Sequence, residues 1–310
     1  MALVSGDRAK ARKLARKFGA REVYTYEEYE ACLAHPAVEA VYLASPNGSH
    51  CEQTLRAAAA GKHVLCEKPM ANTVEDCRKM LRACRLHRVR LMIAYRKYFE
   101  PASLALKRLV TEGKLGRLRL IHSAFTIYLP PGKKTGWRFD PALAGGGALP
   151  DVGVYCVNTA RWLTGLNPVE AEAYAWITDP TRFSEIIDEN LAFRLNFPGG
   201  LVLQGSASFG AAQSSFLRVH GEKGWAALDP AFTWDEERRL FGKLGGRWFE
   251  KKFALLDEFA LELDAFAHCI RTGRHPEPNG LEGMTDVAVM AAIYQSAREG
   301  RPAPVNIPDP

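Results

Sequence analysis

Lys68 ends the run Lys62-His63-Val64-Leu65-Cys66-Glu67-Lys68-Pro69, where a strand-like stretch finishes on a carboxylate and an ammonium group and is stopped by proline. A lysine in such a place is costly to bury unless it is paired or used. Far along the chain comes Gly145-Gly146-Gly147-Ala148-Leu149-Pro150-Asp151-Val152-Gly153-Val154-Tyr155, with Asp151 and Tyr155 four residues apart on what reads as a helix. That spacing stacks a carboxylate and a phenol on one helix face. A phenol is a poor base near neutral pH, its ordinary pKa being about 10, unless a neighbouring cation stabilises the phenolate. An ammonium, a carboxylate and a phenol together can move one proton to or from a substrate oxygen, as a dehydrogenase requires.

Two kinds of element must carry these groups. Up to about residue 97 strand and helix signals alternate. Ala2-Leu3-Val4-Ser5 reads as a strand, and Asp7 caps a helix with Ala11, Leu14, Ala15 and Phe18 on one face, stopped by Gly19. Thr25-Tyr26-Glu27-Glu28 reads as a capping box opening a second helix. Residues 38–44 form an apolar run interrupted by Glu39, a helix follows over 49–60, and residues 64–66 are the next strand. Thr73-x-x-Asp76 opens a helix to about Arg88, and residues 91–94 are strand again. This alternation predicts a parallel sheet with right-handed crossovers, and the proline after residues 64–68 puts Glu67 and Lys68 on the rim where open α/β sheets bind ligands.

After Pro101 the pattern changes. A helix over 102–111 is followed by β-rich stretches at 117–128, 168–177, 190–197, 201–208, 215–220 and 224–228. Pro198-Gly199-Gly200 and Gly221-Glu222-Lys223-Gly224 read as tight turns, so their flanking strands pair antiparallel. Helices are predicted at 150–164, 256–271 and 281–299. The expected fold class is therefore α/β over residues 1–97, a Rossmann-like parallel sheet, followed over 98–310 by an α+β domain built on a large, mostly antiparallel sheet.

The bulk numbers agree with two domains. The 310 residues are 47% hydrophobic and 25% charged, with a formal net charge of +6. Seven scattered cysteines without a Cys-x-x-Cys pair point to a reduced, cytoplasmic setting and away from a zinc site. No apolar run reaches the length of a membrane span. The basic N-terminal segment reads better as the first strand and helix than as a transit peptide. Arg78, Lys79, Arg82, Arg85, Arg88 and Arg90 are spaced as a solvated helix face without an aromatic stacking platform, which argues against nucleic acid.

A dinucleotide-binding domain normally opens with a strand, a Gly-rich turn and a helix. No G-x-G-x-x-G occurs here, so the first βα unit of such a domain is expected to be absent, leaving unpaired sheet edges and weak cofactor binding. Ser5 then occupies the tip where an acidic residue would take the ribose hydroxyls of NAD. With Asp7, Arg8 and Lys10 following, the tip suits a 2′-phosphate, hence NADP with NAD possible.

Glu67-Lys68-Pro69, the run from Gly145 to Tyr155, and the closing Glu262-Leu263-Asp264-Ala265-Phe266 through Ala297-Arg298-Glu299-Gly300-Arg301-Pro302 resemble the Gfo/Idh/MocA oxidoreductase family. The likeness is to its branch holding glucose-fructose oxidoreductase and dimeric dihydrodiol dehydrogenase. Tyr155, where many members have histidine, narrows the resemblance to that branch. The resemblance implies Lys68, Asp151 and Tyr155 as catalytic residues. It implies Ser5, Lys10, Ser45, Asn47, His50, Glu67, Lys68, Arg96, Trp137 and Arg138 as cofactor-binding, no metal, a sugar (aldose) or related polyol or diol as substrate, and a homodimer or homotetramer formed through the second-domain sheet. Tyr128, Trp137 and Phe139 would suit stacking on sugar rings.

Plainer readings exist for each residue: Tyr155 as a core side chain, Asp151 as a helix-start carboxylate, Lys68 and Glu67 as a rim ion pair, and the three glycines as a flexible loop. A catalytically inactive relative that binds ligand or partner without turnover is the competing function.

Overall fold

The computed structural model describes residues 1–130 and 136–308. Its first part contains β1 (Ala2–Val4), α1 (Arg8–Phe18), β2 (Glu22–Tyr24), α2 (Tyr29–Ala34), β3 (Ala40–Leu43), α3 (His50–Ala59), β4 (His63–Glu67), α4 (Val74–Leu86) and β5 (Leu91–Ala94). The helix ends follow the sequence signals. Asp7 accepts from the Lys10 amide and Gly19 takes the left-handed conformation after α1. Thr73 accepts from the Asp76 amide at the start of α4. The Thr25 box is half made: Glu28 accepts from the Thr25 amide at 2.8 Å, but the helix begins only at Tyr29.

The parallel sheet comes in two pieces. β1 pairs with β2, and β3, β4 and β5 pair in that order, but no ladder joins β1 to β3. In the usual doubly wound order a further strand lies between these two positions.

The second part contains α5 (Pro101–Thr111), β6 (Leu118–Tyr128), α6 (Pro141–Ala144), α7 (Val154–Thr164), β7 (Glu170–Trp176), β8 (Asn190–Asn196), β9 (Val202–Ser208), β10 (Gly210–Gly221), β11 (Gly224–Leu228), β12 (Arg238–Leu244), β13 (Arg247–Phe253), α8 (Glu258–Thr272), α9 (Gly280–Glu299) and β14 (Ala303–Pro304). Nine strands form one sheet in the order β13-β12-β11-β10-β6-β9-β8-β7-β14, antiparallel except for β6 beside β9. The two strands at one end, β12 and β13, and the opposite edge strand β14 had no sequence prediction. β13 carries a largely ionic pattern suited to a solvated edge.

Strand alternation places Ile121, Ser123 and Phe125 of β6 in the core beneath α7 and leaves His122, Ala124, Thr126 and Tyr128 toward the open face. One core runs through both parts, and α8 returns to the first: Phe266 packs with Leu65, Met92 and Ala94. The C-terminal end of β4 is thereby held against the start of α7, which is the relationship the site depends on.

Candidate active site

Lys68 follows β4 directly, and a cis peptide joins it to Pro69. Asp151 lies in a π-helical turn, Leu149–Gly153, that runs into α7, and Tyr155 is the second residue of α7. Wide turns of this kind recur at functional sites. Lys68 Nζ donates to the Asp151 carbonyl oxygen at 2.6 Å and to Asp151 Oδ1 at 3.3 Å. Arg138 Nε donates to Asp151 Oδ2 at 2.8 Å, so the carboxylate carries a cation on each oxygen. Lys68 Nζ also lies 5.1 Å from the centre of the Tyr155 ring. The three predicted catalytic residues therefore meet.

The electrostatics hold the charged forms. Burial pulls the Lys68 ammonium down, but Asp151, Tyr155 and Glu67 more than offset it and the net shift is upward. Burial raises the Asp151 carboxyl, while Lys68 and Arg138 lower it further than burial raises it. The Tyr155 ring is fixed by Phe125 and Phe232, each 5.6 Å away between centroids.

The glycine run is shaped by packing rather than by freedom of motion. A side chain at Gly147 would lie 1.9 Å from the Asp188 carbonyl oxygen, and Gly146, at φ 154°, would meet the Tyr294 hydroxyl. Asp188 accepts from the Gly147 amide at 2.6 Å, the Leu149 amide at 2.9 Å and the Tyr294 hydroxyl at 2.5 Å. Its carboxylate thus seats the start of the π turn and so places Asp151. Sequence reading missed Asp188 because nothing local marks a contact 41 residues away.

The remaining candidates separate into rim residues and braces. Glu67 accepts from the Tyr42 hydroxyl at 2.5 Å and from the Lys68 amide at 3.1 Å, on the rim as expected. Ser45 donates to Gln53 at 2.6 Å, and Asn47 is buried, donating to the Ala144 carbonyl at 2.8 Å. His50 is fully buried, its ring nitrogens each 3.0 Å from the carbonyls of Ser45 and Pro69. It braces the Ser45 loop against the Lys68–Pro69 turn. Arg96 is 2% exposed, commits its guanidinium to Glu258 and the Phe232 carbonyl, and lies 5.2 Å from the centre of the Tyr155 ring. Arg138 belongs to the Asp151 pair and stacks on Trp137.

Ser5 accepts from the Asp7 amide, and Lys10 lies exposed in the first turn of α1. Both stand at the end of β1, with no contact to the Lys68 group. Of the aromatics expected to stack on a sugar, Tyr128 is on the open-face side of β6 and Phe139 packs against Phe183. Trp137 alone of the three stands beside the Asp151 pair.

Two further acids, Glu258 and Glu262, carried no expected role. Glu258 accepts from Arg96, from Lys97 at 2.8 Å and from Arg238 at 2.9 Å. Glu262, one turn later, is 1% exposed. The available signal was their shared face with buried Phe266 at i, i+4 and i+8 spacing.

Among the described residues, no cluster of His, Cys, Asp or Glu is placed to hold a metal ion, and no helix is long and apolar enough to cross a membrane. Comparison with known proteins agrees with the geometry. Residues 1–95 match the family description "Oxidoreductase family, NAD-binding Rossmann fold", and residues 103–227 match "GFO/IDH/MocA C-terminal domain". The chain is 36% identical over 300 residues to D-xylose 1-dehydrogenase [NADP(+)] of Haloarcula marismortui, covering 95% of this chain and 82% of that one. It is 32% identical over 310 residues to trans-1,2-dihydrobenzene-1,2-diol dehydrogenase of Mus musculus, covering 96% and 87%. The crystal structure of aldose-aldose oxidoreductase from Caulobacter crescentus, complexed with glycerol, superposes with a TM-score of 0.91 at 38% identity, covering 98% of this chain and 90% of that one.

Proposed function

The chain belongs to the Gfo/Idh/MocA oxidoreductase family, and on that premise we propose that it transfers a hydride between NADP and an aldose or a related polyol or diol. The observation that carries the reading is the meeting of Lys68, Asp151 and Tyr155 at the C-terminal end of β4. The nicotinamide, when bound, supplies or accepts the hydride. Tyr155 exchanges a proton between its hydroxyl and the reacting oxygen of the sugar. Lys68 polarises that oxygen from a position fixed by Asp151, and Arg138 holds the second oxygen of Asp151. Residues 1–97 present the nucleotide and residues 98–310 the sugar.

A nicotinamide nucleotide fits the rim: Glu67 and Tyr42 stand beside Lys68, and Ser45 and Asn47 line the next strand end. Ser5 and Lys10 would take the 2′-phosphate of NADP. The names of the xylose and dihydrodiol relatives support a substrate bearing a secondary or anomeric hydroxyl. The exposed Tyr174, Trp176, Phe216 and Trp248 on the open sheet face favour burial against a second copy, as a homodimer or homotetramer. Seven free cysteines suit a reducing, cytoplasmic setting.

The competing reading is binding without turnover. Fluorescence titration with NADPH and NADH, followed by assay with D-xylose, D-glucose and a vicinal diol, decides between them. NADPH binding with turnover of a sugar or diol is the expected result. Binding without turnover of any of these supports the second reading.

A further inference from the structure

Glu262 is a buried acid that the proton transfer does not use. Phe266, one turn further along α8, packs on Leu65, Met92 and Ala94. The same helix face therefore carries Glu262 toward the C-terminal ends of β4 and β5, where Glu67 lies. Glu262 is 1% exposed, and its Oε1 has no hydrogen-bond partner among the described residues.

The cations nearby are committed elsewhere. Arg96 is bound by Glu258 and the Phe232 carbonyl. Lys97 donates to Glu258 and the Thr233 carbonyl, and Arg238 donates to Glu258, the Thr233 hydroxyl and the Glu236 carbonyl. The groups facing Glu262 are Glu67 from β4, Tyr42 from β3, Arg96 from the turn after β5 and Glu258 from its own helix. Two of these four are carboxylates, and the one cation among them is already bound.

We propose that Glu262 is a positioning residue for the nucleotide rim, standing as a hydrogen-bond donor beside Glu67 and leaving Glu67 as the single negative charge there. A buried carboxyl whose Oε1 finds no donor and whose facing cation is already bound keeps its proton, because the ionised form would lose hydration without replacement. Burial first, then Glu67 and Glu258, push Glu262 up to about 9, with Arg96 opposing them. The neutral acid leaves Glu67 free to accept from Tyr42 and from the Lys68 amide. Ionised, Glu262 would set a second charge against Glu67 and against the anionic nucleotide. The role rests on the nicotinamide-nucleotide reading.

The test has two arms. Infrared difference spectra read the protonated-carboxyl C=O band of the wild type against Glu262→Gln, with no cofactor present. The band is expected at neutral pH in the wild type, lost near about pH 9, and absent from the variant. NADPH dissociation constants are then measured by fluorescence from about pH 7 to about pH 10 for wild type, Glu262→Gln and Glu262→Ala. Wild-type affinity is expected to fall several-fold toward the alkaline end. The Gln variant, which keeps a donor but cannot ionise, is expected to lose that pH dependence, and Ala to bind more weakly throughout.

Absence of the band at neutral pH, with NADPH still bound, overturns the inference and spares the nucleotide reading. An equal alkaline loss in wild type and Gln variant overturns the coupling. A band with no NADPH binding by any of the proteins overturns the nucleotide reading and the positioning role with it. The wild-type measurements stand even if a variant does not fold.

Discussion

Lys68 Nζ grips Asp151 twice, at the main-chain carbonyl (2.6 Å) and at the side-chain Oδ1 (3.3 Å). The main-chain contact fixes the ammonium relative to the helix that carries Tyr155. The side-chain contact sets its charge.

Because Lys68 and Tyr155 act on one oxygen, their removal should not be additive. Lys68→Met and Tyr155→Phe are each expected to lower kcat by about 10²–10⁴-fold, and the double variant to be little worse than the poorer single one. Steady-state kinetics on the sugar substrate measure this. Tyr155→Phe keeps the ring between Phe125 and Phe232, so its thermal midpoint should stay near that of the wild type. Near-normal turnover in both single variants would remove the assignment.

Asp151→Asn separates charge from shape. Without the carboxylate, burial is the dominant influence on Lys68 and its ammonium should titrate lower. The alkaline limb of the kcat/KM profile is then expected to move to lower pH. Stability follows the opposite limb. The Asp151 carboxyl is depressed in the folded protein, so its contribution is present above the ordinary aspartate pKa of about 4 and is lost as pH falls through the lower folded value. The gap in unfolding free energy between wild type and Asp151→Asn should therefore close in acid, as urea melts across that range would report.

What the sequence made legible was local. Capping at Asp7 and Thr73, the turn glycines and the proline after Lys68 all act within a few residues, and the elements follow them. Lys68 and Asp151 were each recognisable and their chemistry matched, but their contact spans 83 residues, and no local signal places them together. Burial is set by contacts distant in sequence and was not legible. His50 and Arg96 look like ligand-binding groups in sequence, yet each is held by protein partners on both sides. The glycines, which could pass for a flexible loop, are the space that Asp188 and Tyr294 occupy.

Gly147→Ala tests that last point. Its Cβ would fall 1.9 Å from a backbone oxygen, which cannot swing aside as a side-chain tip can. The segment before β8 that carries Asp188, or the glycine loop, must shift, at an expected cost of about 1–3 kcal/mol in urea unfolding. Because the loop leads into Asp151, kcat should fall as well, in contrast to Gly165→Ala, where the open space around the residue leaves only backbone strain.

Glu258→Gln tests the base on which the Tyr155 ring rests. Three buried cations share that carboxylate, and removing the partner of a buried charge is costly, here about 3–5 kcal/mol. The loss should depend on pH with a defined sign. Burial, with Arg96 and Arg238 adding to it, holds Lys97 down to about 7 despite Glu258. Below that pH the wild-type lysine is charged and leans on Glu258; above it the lysine is neutral and the carboxylate serves only the two arginines. The deficit of the variant is therefore expected to be largest on the acid side of about pH 7 and to narrow above it. Paired urea melts of wild type and variant on either side of neutrality measure it. A deficit that stayed constant across this range would mean that Lys97 stays charged and that the cluster is held by all three cations.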